Sequence, residues 1–156
     1  MRVHICAVGR LRTGPEADLL DDYLTRFDRS GRALSLSKGE VREVEDKKGK
    51  GMQAEADLLA RAIPDGATVV ALDERGQVLS SPEFATKIAH WRDDGCADLA
   101  FVIGGADGLS KEMRARADFK LSFGRMVWPH MLARVMLSEQ LYRAASILAG
   151  APYHRE

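Results

Sequence analysis

The 156 residues suffice for one full-sized hydrophobic core and leave no room for separate cofactor and substrate domains, so residues 1–156 are read as a single domain. Hydrophobic residues at 46% and charged ones at 29% exclude an intrinsically disordered chain. The 23 basic side chains balance the 23 acidic ones, which removes any compositional argument for a polyanion-binding protein and requires any nucleic-acid contact to be local.

Two cysteines, Cys6 and Cys96, make neither a disulfide framework nor a complete metal cage, and a reducing compartment is expected. The opening Met1 to Gly9 is too short and too soon charged for a secretory leader, and no stretch approaches the roughly 18 apolar residues of a membrane span. The expected location is the cytoplasm, with no membrane partner.

Strand-like apolar runs alternate with helical patterns along the chain, which predicts an α/β fold with a mainly parallel sheet of about five or six strands flanked by helices. The first strand covers Arg2 to Val8. A helix follows from Pro15 to about Arg29, with Leu19, Leu20, Tyr23, Leu24 and Phe27 on its apolar face and Gly31 closing it. Ala33 to Glu45 carries a broken alternation around Lys38-Gly39, as a bent strand would. Asp46 to Gly51 reads as a basic loop whose lysines simple solvation explains. A second helix runs from Met52 to Ile63, ended by Pro64 and Gly66.

The pattern is cleaner beyond this point. Ala67 to Leu72 is a buried strand that exits into the loop Asp73-Glu74-Arg75-Gly76, and Ser81-Pro82 supplies an N-cap followed by proline for a helix over Pro82 to Asp94. Asp98 to Ile103 is a strand exiting into Gly104-Gly105-Ala106-Asp107-Gly108, with Ser110 capping a short helix to about Ala115. Phe119 to Phe123 is a strand exiting into Gly124 to His130. The last helix covers Met131 to Ala149, with Leu132, Val135, Met136, Leu141, Ala145 and Leu148 as its apolar positions.

Three consecutive strands thus leave the sheet through glycine-containing loops, and the carboxyl ends of strands are where open α/β sheets bind ligands. The order Gly104-Gly105-Ala106-Asp107-Gly108 matches neither the dinucleotide fingerprint nor the P-loop. A nucleoside cofactor held through backbone groups, with its base between Leu72, Met126 and Trp128, fits better than phosphate cradling. His4, His90, His130 and His154 lack paired ligand spacing, so no metal is expected, and no Ser or Cys sits in a nucleophile elbow. His4 and His90 read as structural. Glu139 and Arg143 form an i, i+4 pair that is a surface salt bridge unless Pro152-Tyr153-His154-Arg155-Glu156 folds back over it. That stretch offers a phenol, an imidazole and a guanidinium, groups that suit a planar anionic ligand.

Ile103 to Leu109, Trp128-Pro129-His130, Leu141-Tyr142-Arg143-Ala144 and Tyr153-His154-Arg155, taken in this order, resemble the ribosomal large-subunit RNA methyltransferase H family of SPOUT, or α/β-knot, methyltransferases. The resemblance spans essentially the whole chain; Ser30 to Gly51 departs most from the family pattern. It implies S-adenosylmethionine as methyl donor, N3 of pseudouridine 1915 in 23S ribosomal RNA as acceptor, a C-terminal trefoil knot and a homodimer. Cofactor contacts implied by position are Leu72, Gly104, Phe123, Gly124, Arg125, Met126, Val127 and Trp128. Tyr153, His154 and Arg155 would hold the target base with His130 and Arg143 close by, His154 as proton acceptor and Arg155 or Arg143 as phosphate or oxyanion partner. The neutral composition points to the assembled ribosome as substrate. A SPOUT enzyme acting on transfer RNA and a noncatalytic ribosome-associated module are the alternatives.

Overall fold

A computed structural model describes residues 1–155. Five strands, β1 (Arg2–Val8), β2 (Ser37–Val44), β3 (Thr68–Val78), β4 (Asp98–Ile103) and β5 (Phe119–Ser122), alternate with five helices, α1 (Pro15–Gly31), α2 (Met52–Ala62), α3 (Ser81–Asp93), α4 (Lys111–Arg116) and α5 (His130–Leu148). The strands form one sheet in the order β2-β1-β4-β3-β5, and every neighbouring pair is parallel. The central strands explain why: Val3 to Val8 and Leu99 to Ile103 are buried without interruption, which only a sheet covered on both faces can accommodate.

Side chains of alternate residues divide the core in two. Val3, Ile5, Ala7, Leu99, Phe101 and Ile103 meet Leu24 and Phe27 of α1, Phe84 and Ile88 of α3, and Leu137 and Leu141 of α5. On the other face Cys6, Val8, Ala100 and Val102 meet Leu59 and Ala62 of α2 and Met113 of α4. Among the described residues no helix is long and apolar enough to cross a membrane.

The irregular pattern around Lys38-Gly39 has a local cause. Pairing between β1 and β2 slips by one residue between Val3 and Ile5, and His4, buried in the slip, accepts at Nδ1 from the Glu40 amide at 3.0 Å and donates from Nε2 to Asp98 at 2.7 Å. A Cβ at Gly39 would lie 2.5 Å from that ring, so glycine is required there. His4 is structural as expected, whereas His90 is exposed in the last turn of α3.

Two boundaries differ from expectation. The α3 cap is Ser80, whose hydroxyl accepts from the Glu83 amide at 3.2 Å, while Ser81 donates to Gln140 at 2.8 Å and ties α3 to α5. Asp73 to Gly76, expected as an exit loop, is an excursion within β3: the strand returns, so that Leu72 and Gln77 both pair with Leu121 of β5. Ser110 caps α4 as expected, accepting from the Met113 amide at 3.1 Å.

Candidate functional site

A cleft of about 390 Å³ opens at the carboxyl ends of β3, β4 and β5, closed on one side by the first turn of α5. Leu72, Gly104, Phe123, Gly124, Met126, Val127 and Trp128 of the expected cofactor set line it, together with Asp73, Ile103, Asp107, Leu109 and His130. Arg125 lies in the same loop but not on the lining. The walls combine apolar side chains with glycine backbone, and Met126 and Val127 are 73% and 81% exposed, a costly arrangement for a surface that meets only water.

The glycine loop after β4 is folded on itself. The Gly108 amide donates to the Gly105 carbonyl at 3.0 Å, and a Cβ at Gly104 would sit 2.5 Å from the Gly108 carbonyl carbon. Two carboxyl groups near this loop are shifted in opposite directions. Burial pushes the Asp73 carboxyl up, but hydrogen bonds from Arg75 and the charges of Arg75 and Arg114 outweigh it and leave it below the usual range. Burial, with Asp107 and Asp46 nearby, holds Glu55 above its usual range.

Leu121, Phe123 and Gly124 also line a second, more apolar groove of about 480 Å³ that runs past Leu19 and Tyr23 of α1 and Val135 and Met136 of α5 to Glu139. There the C-terminal stretch docks. Tyr153 donates its hydroxyl proton to Glu139 Oε1 at 2.9 Å, and Arg143 Nε donates to the same oxygen at 3.0 Å. The Tyr153 ring lies 4.5 Å from that of Tyr142 and 4.8 Å from the Arg143 guanidinium carbon. Burial and the Glu139 hydrogen bond push the Tyr153 phenol up to about 12, so it serves as a donor at neutral pH.

Arg143 Nη1 donates to His154 Nδ1 at 3.3 Å. A guanidinium has no lone pair to offer, so Nδ1 is the acceptor and the ring proton resides on Nε2. Arg155 is exposed, and Glu156, the end of the expected recognition stretch, lies outside the described residues. The Glu139–Arg143 pair is therefore the platform on which the C-terminal stretch rests.

His130 is not part of this cluster. It begins α5, while Arg143 lies about 20 Å farther along the helix at a rise of about 1.5 Å per residue. Within one chain His130 thus stands apart from the terminal residues and belongs to the cleft wall. Its imidazole packs over Gly9, with Nε2 3.4 Å from where a Cβ would stand, and burial followed by the Arg134 charge lowers its pKa, disfavouring the charged ring.

Arg134 was not singled out by the apolar pattern of the last helix. It is fully buried, whereas Leu132, expected on the apolar face, is exposed. Spacing from Arg134 to Leu137 and Leu141 was the available signal, since those three share one helical face. Among the described residues no group of three His, Cys, Asp or Glu side chains is placed to hold a metal ion.

The arrangement matches known proteins over its full extent. The family model described as "Predicted SPOUT methyltransferase" matches residues 1–154. Proteins called ribosomal RNA large subunit methyltransferase H from Ruegeria sp. (strain TM1040) and Roseobacter denitrificans are 68% and 70% identical over 155 residues, covering 99% of both chains in each case. Among solved structures, a probable methylase family protein from Haemophilus influenzae has a TM-score of 0.51 at 14% identity, over 99% of this chain and 70% of that one. TrmJ from Z. mobilis has a TM-score of 0.51 at 17% identity, over 97% and 70%; at such identities the likeness concerns the fold. The chain belongs to the SPOUT methyltransferases, within the family of the ribosomal RNA large subunit methyltransferase H proteins.

Proposed function

We propose that the protein transfers a methyl group from S-adenosylmethionine to N3 of pseudouridine 1915 in 23S ribosomal RNA, acting in the cytoplasm on the assembled ribosome. The observation that carries this proposal is the pairing of two surfaces: a cleft at the strand ends with apolar walls and glycine backbone, and a groove that shares Leu121, Phe123 and Gly124 with it and reaches Glu139, the acceptor for Tyr153 and Arg143. The name of the relatives, ribosomal RNA large subunit methyltransferase H, supports the substrate class.

S-adenosylmethionine, when bound, supplies a methyl group activated on a sulfonium. The cleft fits such a ligand in size and chemistry: Leu72, Met126 and Trp128 offer faces for an adenine, Gly104, Phe123, Gly124 and Val127 bring backbone groups to the ligand, and Asp73 and Asp107 offer acceptors for ribose hydroxyls. Transfer is in-line, without a covalent intermediate on the protein, so the chain's work is orientation and the handling of one proton.

An imide N–H is mostly protonated at neutral pH, and stabilising its anion or accepting its proton accelerates transfer by about 10²- to 10⁴-fold. Tyr153 keeps its proton and positions. His154, with Nδ1 occupied by Arg143, presents Nε2–H to a base carbonyl; acting as proton acceptor requires that contact to open. Arg155, exposed, is the cation for a phosphate or a developing oxyanion.

His130 in the cleft and the docked C-terminal stretch lie at opposite ends of α5. A homodimer in which one chain's terminal residues reach its partner's cleft would unite them, with the glycine loops knotted as in the family.

The test is transfer of labelled methyl from S-adenosylmethionine to intact ribosomes, separated subunits, free 23S RNA and transfer RNA, with the modified nucleoside identified by mass. Label in pseudouridine of assembled particles is expected, with little on free RNA. Label on transfer RNA alone overturns the target, and cofactor binding without any transfer overturns the activity.

A further inference from the structure

Arg134 is the largest fully buried side chain of the protein, and it is charged. A guanidinium withdrawn from water is tolerated only when its N–H groups are met. Here Nη1 donates to Glu43 Oε2 at 2.8 Å and Nη2 donates to the carbonyls of Val8 at 3.2 Å and Gly9 at 3.1 Å, while Nε is buried without a partner and adds to the cost. A leucine would fill the space without that cost, so the clamp must achieve something that packing alone does not.

Its partners are the ends of two strands at the edge where the cleft opens. Glu43 Oε2 also accepts from the Leu11 amide at 2.6 Å, and the Gly9 amide donates to Val44 at 2.8 Å, so the turn leaving β1 is tied on both sides. Gly9, at φ +92°, leaves bare backbone against which His130 packs. Val8 supports the cleft loop, since a Cβ at Gly105 would stand 3.1 Å from Val8 Cγ1. His130 precedes Arg134 by one helical turn and is the imidazole lining the cleft, with Ala133 beside it.

We infer that Arg134 is a positioning residue: through Gly9 and the first turn of α5 it holds the His130 imidazole in the cleft wall in the orientation that methyl transfer requires. This rests on the cleft being the methyl-donor site. The electrostatics agree. The Arg134 charge on the same helix adds to burial in disfavouring a second cation at His130. Glu43 of β2 is engaged by Arg134, and Asp73, Glu74 and Arg75 of β3 and Asp107 of the glycine loop are the other charged groups on the same cleft.

The experiment uses the full chain with Arg134→Met, Glu43→Gln, His130→Gln and the Glu43→Gln/His130→Gln pair. The His130 titration is followed by NMR, its signal identified by loss in His130→Gln. S-adenosylmethionine affinity is measured by calorimetry and kcat on ribosomes. Arg134→Met is expected to raise the His130 pKa. Glu43→Gln, which loosens the guanidinium and keeps it charged, is expected to shift the His130 resonance and to lower kcat by about 10- to 100-fold, with donor affinity changed less than threefold. The double variant should be no slower than His130→Gln, because residues acting through one group are not additive.

Losses that multiply in the double variant, or a lowered melting temperature with kcat and the His130 signal unmoved, overturn the inference and leave Arg134 a structural residue. Should Arg134→Met fail to fold, Glu43→Gln and the pair decide the question alone. Should the wild-type protein transfer no methyl group to any RNA, the activity falls, and an unmoved His130 resonance in Glu43→Gln overturns the clamp separately.

Discussion

Replacing Gly104 by alanine probes the cleft most directly. The added Cβ would stand 2.5 Å from the Gly108 carbonyl carbon, 2.6 Å from its oxygen and 2.9 Å from the Leu109 amide nitrogen. All three are backbone, so no side chain can swing aside. Ordinary carbon contacts begin near about 3.5 Å, which obliges the loop to retreat by about 1 Å. Overpacking of this kind costs about 1–3 kcal/mol, and at about 2–4 °C per kcal/mol for a protein of this size a fall of about 2–12 °C in melting temperature is expected. The retreat also displaces the lining of the cleft, so S-adenosylmethionine should bind at least tenfold more weakly. Gly108→Ala is the matched control: it has φ +77° and nothing within 4 Å of its added Cβ, so it incurs only the left-handed backbone cost of about 1 kcal/mol. Thermal melts with and without cofactor separate the two. A Gly104→Ala protein that melts as high as Gly108→Ala and binds cofactor as tightly as wild type would refute the reasoning.

Tyr153→Phe keeps the ring beside Tyr142 and removes one hydrogen bond to Glu139; the expected cost is about 1 kcal/mol, with faster amide exchange over the last turn of α5, and unchanged exchange would contradict the docking. Asp98→Asn tests the buried His4 contact: the His4 hydrogen bond, followed by the Arg2 hydrogen bond, depresses the Asp98 pKa against the effect of burial. Its stabilisation is therefore present above the unfolded value of about 3.9 and lost as pH falls through the folded one, and urea melts between pH 5 and 3 should show a shallower decline in the variant. Burial pushes the Cys6 thiol up to about 11, so a thiol reagent at pH 8 should modify Cys6 only at the rate of unfolding, and rapid labelling of native protein would contradict its place between β1 and α2.

Much of the sheet is legible in the sequence because its signals are local. Uninterrupted apolar runs over Val3–Val8 and Leu99–Ile103 are what a strand covered on both faces requires, and Ser110 caps α4 through a hydroxyl three residues from its donor. The return of β3 is not legible: Asp73 to Gln77 is polar, and only pairing with Leu121 across the sheet makes Gln77 a strand residue. Arg134 escapes for the same reason. Its burial depends on Glu43 and on the carbonyls of Val8 and Gly9, all remote in sequence, and a cation on an apolar helical face reads as a misfit until those partners are in place. The separation of His130 from Arg143 and His154 within one chain is not legible in motif order, because it follows from helix geometry: His130 begins α5, and Arg143, which holds His154, lies in its later turns.

The docked terminal residues are held in place by contacts within their own chain. Tyr153 and Arg143 both donate to Glu139, and Arg143 also occupies the lone pair of His154 Nδ1. On the proposed function, an incoming base can take His154 Nε2–H, the exposed Arg155 and the Arg143 N–H groups not engaged by Glu139 or His154 without breaking an existing contact. Breaking one is inexpensive if the substrate replaces it, because exchange of one hydrogen-bond partner for another leaves a net difference of about 1 kcal/mol or less. On the proposed function, the Glu139 platform holds these side chains in order, within one exchange of the substrate, rather than leaving them to lose rotamer freedom on binding. An imidazole that turns from donor to acceptor when Arg143 is drawn toward a phosphate would couple proton removal to correct seating of the RNA.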